Sequence, residues 1–327
     1  MRICIYGAGA IGGHLAGRLA KGGAEVSVVA RGAQLTAIRE KGLTVRAADG
    51  EMHARPRASD NPADLGVQDA VVVCTKVPAL PSVAAGIAPL LGPDTPVAFV
   101  TNGIPWWYFD RHGGPDEGKR IPEVDPGDVV RNSVGVERSL GGVIYSACSV
   151  VEPGVIQVSS RTSKLLLGEL DGSRSPRAVA LAAAFKAGGL PCSVSPDIRT
   201  EVWGKLLNNL ANGPICLLTR RTIRDSFRDP VVRDAARQVV EEGLAIAAAM
   251  GRPVPTTAEE RISLSVDIPH KPSILQDLEM GRPMEIDALF TVPLRLARER
   301  GVPTPMLSLT VAMAIQAAEA AGLYRRA

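Results

Sequence analysis

A chain of 327 residues, 46% hydrophobic and 22% charged, holds enough apolar material for one large core or two of ordinary size. The 37 Lys and Arg against 34 Asp and Glu leave a net charge of +3 spread along the chain, with no basic block of the kind that grips nucleic acid, while small anionic ligands stay in play. No apolar run reaches the roughly 18 residues that a membrane span needs, the four His lack metal-ligand spacing, and five Cys without a CxxC pair fit a reduced, cytoplasmic setting better than a disulfide framework.

The first half alternates strand and helix signals. "RICIYG" is a short apolar run ending in Gly7, "IGGHLAGRLAKGG" has helical periodicity, and "AEVSVVA" reads as the next strand. "LTVRAADGEMHARP" predicts a hairpin turning at Asp49-Gly50. "DAVVVCTK" and "TPVAFVTNG" are further apolar strands with polar ends, and 113–132, rich in Gly, Pro and charge, reads as an exposed loop. Strand signals resume in "GGVIYSACSVVEPGVIQVSS" and "SKLLLGEL"; a helix over "SPRAVALAAAFKAGG" and a strand in "PCSVS" close this half.

That order predicts an α/β fold, a Rossmann-like doubly wound sheet over residues 1–194, followed by an all-α domain over 195–327. The second half shows only helical signals, at 201–212, 230–251, 256–265, 272–280, 285–300 and 305–322. Its Ala/Leu-rich surface leaves room for a homodimer.

"YGAGAIGG" sets Gly7, Gly9 and Gly12 in GxGxxG spacing between a strand and a helix. Gly7 permits the tight turn, Gly9 lets backbone approach a pyrophosphate, and Gly12 allows close helix–strand packing. With Ala8, Ala10 and Ile11 these residues form a candidate dinucleotide loop. The next strand ends in "VSVVARG", with Arg31 where an NAD site places a carboxylate. Its guanidinium suits a 2′-phosphate, so NADP(H) is the expected cofactor. Lys76 and Asn102 stand at two other strand ends, where ligands of such sheets bind.

In the helical half, "EVWGKLLNNLANGP" places Glu201, Lys205, Asn208, Asn209 and Asn212 on one side of a helix, although Asn is a poor helix former. "HKPSILQDLEMGRPMEID" carries Ser273 and Gln276 at capping-box spacing, and Glu285 and Asp287 at the start of a further helix.

Taken with "GAGAIG", "TK" at 75–76, "TNG" at 101–103, "WGKLLNN" at 203–209 and "PSILQDLEMGRPMEID" at 272–287, the chain resembles the ketopantoate reductase (2-dehydropantoate 2-reductase) family over nearly its whole length. The resemblance implies NADPH-dependent reduction of a 2-keto acid to a 2-hydroxy acid, 2-dehydropantoate to pantoate in pantothenate biosynthesis. The alternatives are reduction of another 2-oxo acid and a non-catalytic dinucleotide sensor. It further implies Lys205 and Glu285 as catalytic groups. Substrate contacts would come from Asn102, Lys205, Asn209 and Ser273, and cofactor contacts from Lys76, Asn102, Ser149 and Glu285. Two positions depart from the family. Gly213 replaces the Asn that usually precedes Pro, so that Asn212 is the candidate replacement, and His270 stands where a substrate amide is common. Trp106, Trp107, Tyr108 and Phe109 follow Asn102 and either anchor the next loop or cover the substrate mouth.

Overall fold

A computed structural model describes residues 1–326 of the chain. It divides into two compact units, Met1–Thr101 with Trp106–Ile198, and Asn102–Pro105 with the residues from Arg199 onward.

In chain order the first unit contains β1 (Arg2–Tyr6), α1 (Ala10–Lys21), β2 (Glu25–Val29), α2 (Gly32–Lys41), β3 (Leu43–Ala47), β4 (Gly50–Ala54), β5 (Arg57–Ser59), β6 (Ala70–Val73), α3 (Leu80–Gly86) and β7 (Val97–Phe99). There follow α4 (Val129–Val134), β8 (Ser139–Tyr145), β9 (Cys148–Glu152), β10 (Val155–Val158), β11 (Lys164–Glu169), α5 (Pro176–Ala187) and β12 (Cys192–Val194). Eight strands form one sheet in the order β12-β11-β8-β7-β6-β1-β2-β5, parallel throughout except where β11 runs against β8. Strands such as "AVVV" of β6 are buried along their whole length, which is why they are continuous rather than alternating apolar runs. From the central β1 the chain first moves to β2 and later returns to β6 on the other side, so the strand order reverses at the end of β1.

The predicted hairpin instead belongs to a separate four-stranded sheet, β4-β3-β10-β9. Its turn is Ala48-Asp49, one residue earlier than expected, because Gly50 already pairs with Ala47 in the ladder. This places the Asp49 carboxylate 2.6 Å from the buried Arg18 of α1. Helix α1 rests on the small sheet through glycines: a Cβ on Gly13 would lie 2.7 Å from Ile156 Cγ1, and one on Gly17 2.6 Å from Val45 Cγ2.

The 113–132 segment is a loop, as expected, until its end turns into a helix. The Asp125 carboxylate accepts from the Val130 and Arg131 amides at 2.9 and 3.0 Å, starting α4 inside the expected loop. Arg131 then pairs with Asp110 and lies over the Trp106 ring. Trp106, Trp107, Tyr108 and Phe109 are all buried.

The second unit is helical: α6 (Ile198–Thr219), α7 (Ile223–Phe227), α8 (Pro230–Ala249), α9 (Ala258–Ser265), α10 (Ser273–Glu279), a π-helical turn (Asp287–Thr291), α11 (Val292–Glu299) and α12 (Pro305–Ala320). Helix α6 outruns its expected span and carries Pro214 in its interior. A missing N–H there is costly, but Leu210, Ala211, Ile215, Cys216 and Leu217 are all buried around it, and tertiary packing holds the helix together. Ser273 is the first residue of α10 and does not cap it. The capping box lies at Thr257 and Glu260 instead. Among the described residues no helix is long and apolar enough to cross a membrane, and no group of His, Cys, Asp and Glu is arranged to hold a metal ion.

Candidate functional site

The glycine loop follows β1 where the strand order reverses. Gly7 has φ of +101°, a conformation that a side chain strains, and a Cβ there would also strike Thr75 Cγ2 at 2.7 Å. A Cβ on Gly12 would lie 1.9 Å from the Gly7 carbonyl oxygen, so α1 approaches the strand end as closely as backbone permits. At Gly9 a Cβ would meet nothing within 4 Å: the loop is open on that side. The first turn of α1, through Ala10, Ile11 and Gly12, has no acidic residue, and Gly9 at its N-cap makes no side-chain cap bond. Helix-start amides lack intrahelical acceptors and attract anions. These features fit a dinucleotide pyrophosphate. The loop is tied down by Gly7 and Ala8 amides donating to the Val29 carbonyl. It is held further by Gln34, whose Nε2 donates to the Ala8 carbonyl at 2.9 Å while its Oε1 accepts from Gly154. Gln34 gave no signal in the sequence, because its role depends on the small sheet bringing Gly154 beside α2.

Arg31 is exposed just beyond β2, extended at the start of α2, and donates to Ser82 Oγ at 2.6 Å. Its charge also acts on the Tyr6 phenol, which burial pushes up and Arg31 pulls down. Lys76 follows β6 in extended backbone. Ser149 is half-buried on β9, paired with Gln157.

The second unit assembles a hydrogen-bonded chain of three side chains. Lys205 Nζ donates to Asn102 Oδ1 at 2.8 Å, and Asn102 Nδ2 donates to Glu285 Oε2 at 3.2 Å. Lys205 lies in the middle of α6, and the buried Trp203, Leu206, Leu207 and Leu210 hold that helix in its core. Asn102 arrives from a distant part of the chain. Gly103, at φ of +76°, passes so near the π-helical turn that a Cβ would lie 2.2 Å from the Ala288 carbonyl oxygen. Within that turn Val292 N–H bonds the Asp287 carbonyl, five residues back. Pro293 has no N–H to offer Ala288 in the same register. The Ala288 carbonyl instead accepts from Ile104 N–H at 2.8 Å. The turn that begins two residues after the buried Glu285 therefore also fixes the backbone beside Asn102.

The other predicted substrate residues are not joined to this trio by hydrogen bonds among the described residues. Asn209 is half-buried one turn after Lys205; Ser273 and His270 are exposed. Asn212 is 6% exposed, with its Oδ1 buried and unpartnered. Gly213, not Asn212, continues the row through Lys205 and Asn209, and a Cβ there would meet Phe290 Cζ at 2.8 Å. A larger residue at 213 would require the phenyl ring to move.

A Rossmann-type sheet with a dinucleotide loop, accompanied by a helical unit that presents an ammonium, an amide and a carboxylate in series, defines a dinucleotide-dependent reductase. Residues 3–172 match the family model described as Ketopantoate reductase PanE/ApbA, and residues 197–318 match that of its C-terminal part. A 2-dehydropantoate 2-reductase of Mesorhizobium japonicum is 42% identical over 99% of this chain and 100% of its own. The crystal structure of a Ralstonia solanacearum MolK2 protein superimposes with a TM-score of 0.92 at 39% identity, covering 99% of each chain. That of 2-dehydropantoate 2-reductase from Methylococcus capsulatus gives 0.82 at 27% identity over 98% of each. The chain belongs to the ketopantoate reductase family.

Proposed function

We propose that the protein reduces 2-dehydropantoate to pantoate with NADPH. The observation that carries this reading is the Lys205–Asn102–Glu285 chain, with Nζ 2.8 Å from Oδ1 and Nδ2 3.2 Å from the carboxylate. When bound, the reduced nicotinamide supplies a hydride to C2 of the keto acid. The Lys205 ammonium polarises the C2 carbonyl, stabilises the alkoxide and donates the proton that completes the hydroxyl. The resulting neutral amine recovers its proton from water. Glu285, acting through Asn102, restrains that ammonium, and the amide relays between them without adding charge.

Asn102, Asn209 and Ser273 would hold the substrate by hydrogen bonds, with Asn212 and His270 as further candidates. The Gly7–Gly12 loop would seat the pyrophosphate, and Arg31, with Ser82 beside it, the 2′-phosphate. Lys76, Asn102, Ser149 and Glu285 would complete the cofactor contacts. A second reading, reduction of a different 2-oxo acid, is favoured by Gly213: the third place in the Lys205–Asn209 row faces a phenyl ring instead of offering an amide. The test is NADPH oxidation, followed by its near-ultraviolet absorbance, against 2-dehydropantoate and a panel of other 2-keto acids, with NADH as control. Turnover of 2-dehydropantoate above the rest is expected; activity only with another member selects the second reading, and inactivity with all of them defeats both.

A further inference from the structure

Beyond α12 the chain turns back through Gly322, at φ of +68°, and Leu323 N–H closes the helix end on the Ala318 carbonyl. This sets the half-buried Tyr324 hydroxyl 2.7 Å from Asp287 Oδ1. The same oxygen accepts from Thr291 Oγ1, also at 2.7 Å. Asp287 opens the π-helical turn, and Thr291 is its last residue. Burial, the hydrogen bond to Asp287 and that group's charge together push the Tyr324 phenol up, so it is a donor at any working pH. The Thr291 hydroxyl thus joins the two ends of the turn through the Asp287 carboxylate, and the Tyr324 hydroxyl ties that carboxylate to the segment after α12.

That turn has two attachments to the reacting trio. Glu285 precedes it by two residues, and its carbonyl accepts from Leu289 N–H within the turn. The Ala288 carbonyl receives Ile104, two residues past Asn102. A shift of the turn would therefore move the carboxylate and the amide together and loosen the bond to Lys205.

We propose that Tyr324, through Asp287, is a positioning residue for the Lys205–Asn102–Glu285 chain. The idea builds on the reading in the previous subsection, and one of its readouts needs no turnover. Tyr324→Phe and Asp287→Asn, each in the full chain, should lower kcat about tenfold, the effect of losing one hydrogen bond to a charged group. KM for NADPH should change less than kcat, because the glycine loop and Arg31 are untouched while only Asn102 and Glu285 among the cofactor contacts move. In the absence of substrate, the Asn102 side-chain amide signal in a 15N–1H spectrum should move in both variants. The double variant should be no worse than Asp287→Asn alone. A merely structural bond would lower the melting temperature while leaving kcat and the Asn102 signal unchanged, and that result overturns the proposal. If the wild type reduces no 2-keto acid, the functional reading fails, and the Asn102 signal alone decides the role of Tyr324: displacement supports it and an unmoved signal refutes it.

Discussion

Lys205 and Asn102 are 103 positions apart in the chain, yet Nζ and Oδ1 lie 2.8 Å from each other. The amide's other end is spent on Glu285, so its orientation is fixed by having to accept from an ammonium on one side and donate to a carboxylate on the other. Lys205→Ala should lower kcat by ~10²–10⁴, the usual worth of a positioned proton donor. Its effect on NADPH affinity should be small. Asn102→Asp, which cannot donate to Glu285 once ionised, should lose activity with the fold intact. Steady-state kinetics with separate NADPH titrations would check both; near-normal turnover of Lys205→Ala removes it from the chemistry.

Arg31 is exposed, already engages Ser82 Oγ, and has its backbone extended at the strand end. A 2′-phosphate at this place would take a planar fork of donors. Arg31→Ala should weaken NADPH binding about 10–100-fold, the equivalent of one or two hydrogen bonds to a charged group, and leave NADH unaffected. Equal losses for both cofactors would contradict the assignment.

Much of this was legible in the sequence because it is local. The glycine spacing, the apolar strands and the helical periodicity of α6 each depend on a few neighbouring residues, and the structure realises each of them. What the sequence concealed is what depends on distant partners. Asp49 turns the hairpin one residue early and meets Arg18, which no periodicity announces. The π-helical turn arises from the register between Asp287 and Val292 beside Pro293, and it binds Ile104 from far along the chain. Composition read 113–132 as loop and missed only its end, where the Asp125 carboxylate starts α4 by accepting from two backbone amides.

The aromatic run after Asn102 is open to two interpretations, and its burial supports the one that anchors the next loop. Trp107 is 1% exposed, and its ring passes so close to Gly141 that a Cβ there would lie 2.7 Å from Cη2. Trp106 packs edge-on against Phe99 with centroids 5.5 Å apart. Trp106 and Trp107 thus pack on Phe99 and Gly141 within the first unit. Trp107→Ala should cost about 3–5 kcal/mol of stability, as large aromatic deletions from cores do. Relative kcat/KM across 2-keto acids should not change. Urea unfolding and a substrate panel separate the outcomes: a shifted preference without lost stability would restore the substrate-facing role.

His14, on α1, is fully buried in a polar knot. Arg18 Nε donates to its Nε2 at 3.1 Å, so the ring proton sits on Nδ1 and faces Ser146 Oγ at 3.2 Å. Adding a second proton would put a charge in a buried site, against a guanidinium that has lost its acceptor. Burial first, and Arg18 second, hold the imidazole down to about 4, with Asp49 opposing only in part. The unfolded chain, at the ordinary 6.5, binds this proton more readily than the folded one. Stability from keeping His14 neutral is therefore fully present above pH 6.5 and drains as pH falls toward 4. The loss amounts to roughly 3 kcal/mol. In His14→Gln the amide can still accept from Arg18 and donate to Ser146 but does not titrate. Urea unfolding across this window should show the wild type losing stability relative to the variant as the solution is acidified. Parallel curves for the two proteins would mean that His14 contributes nothing to acid sensitivity.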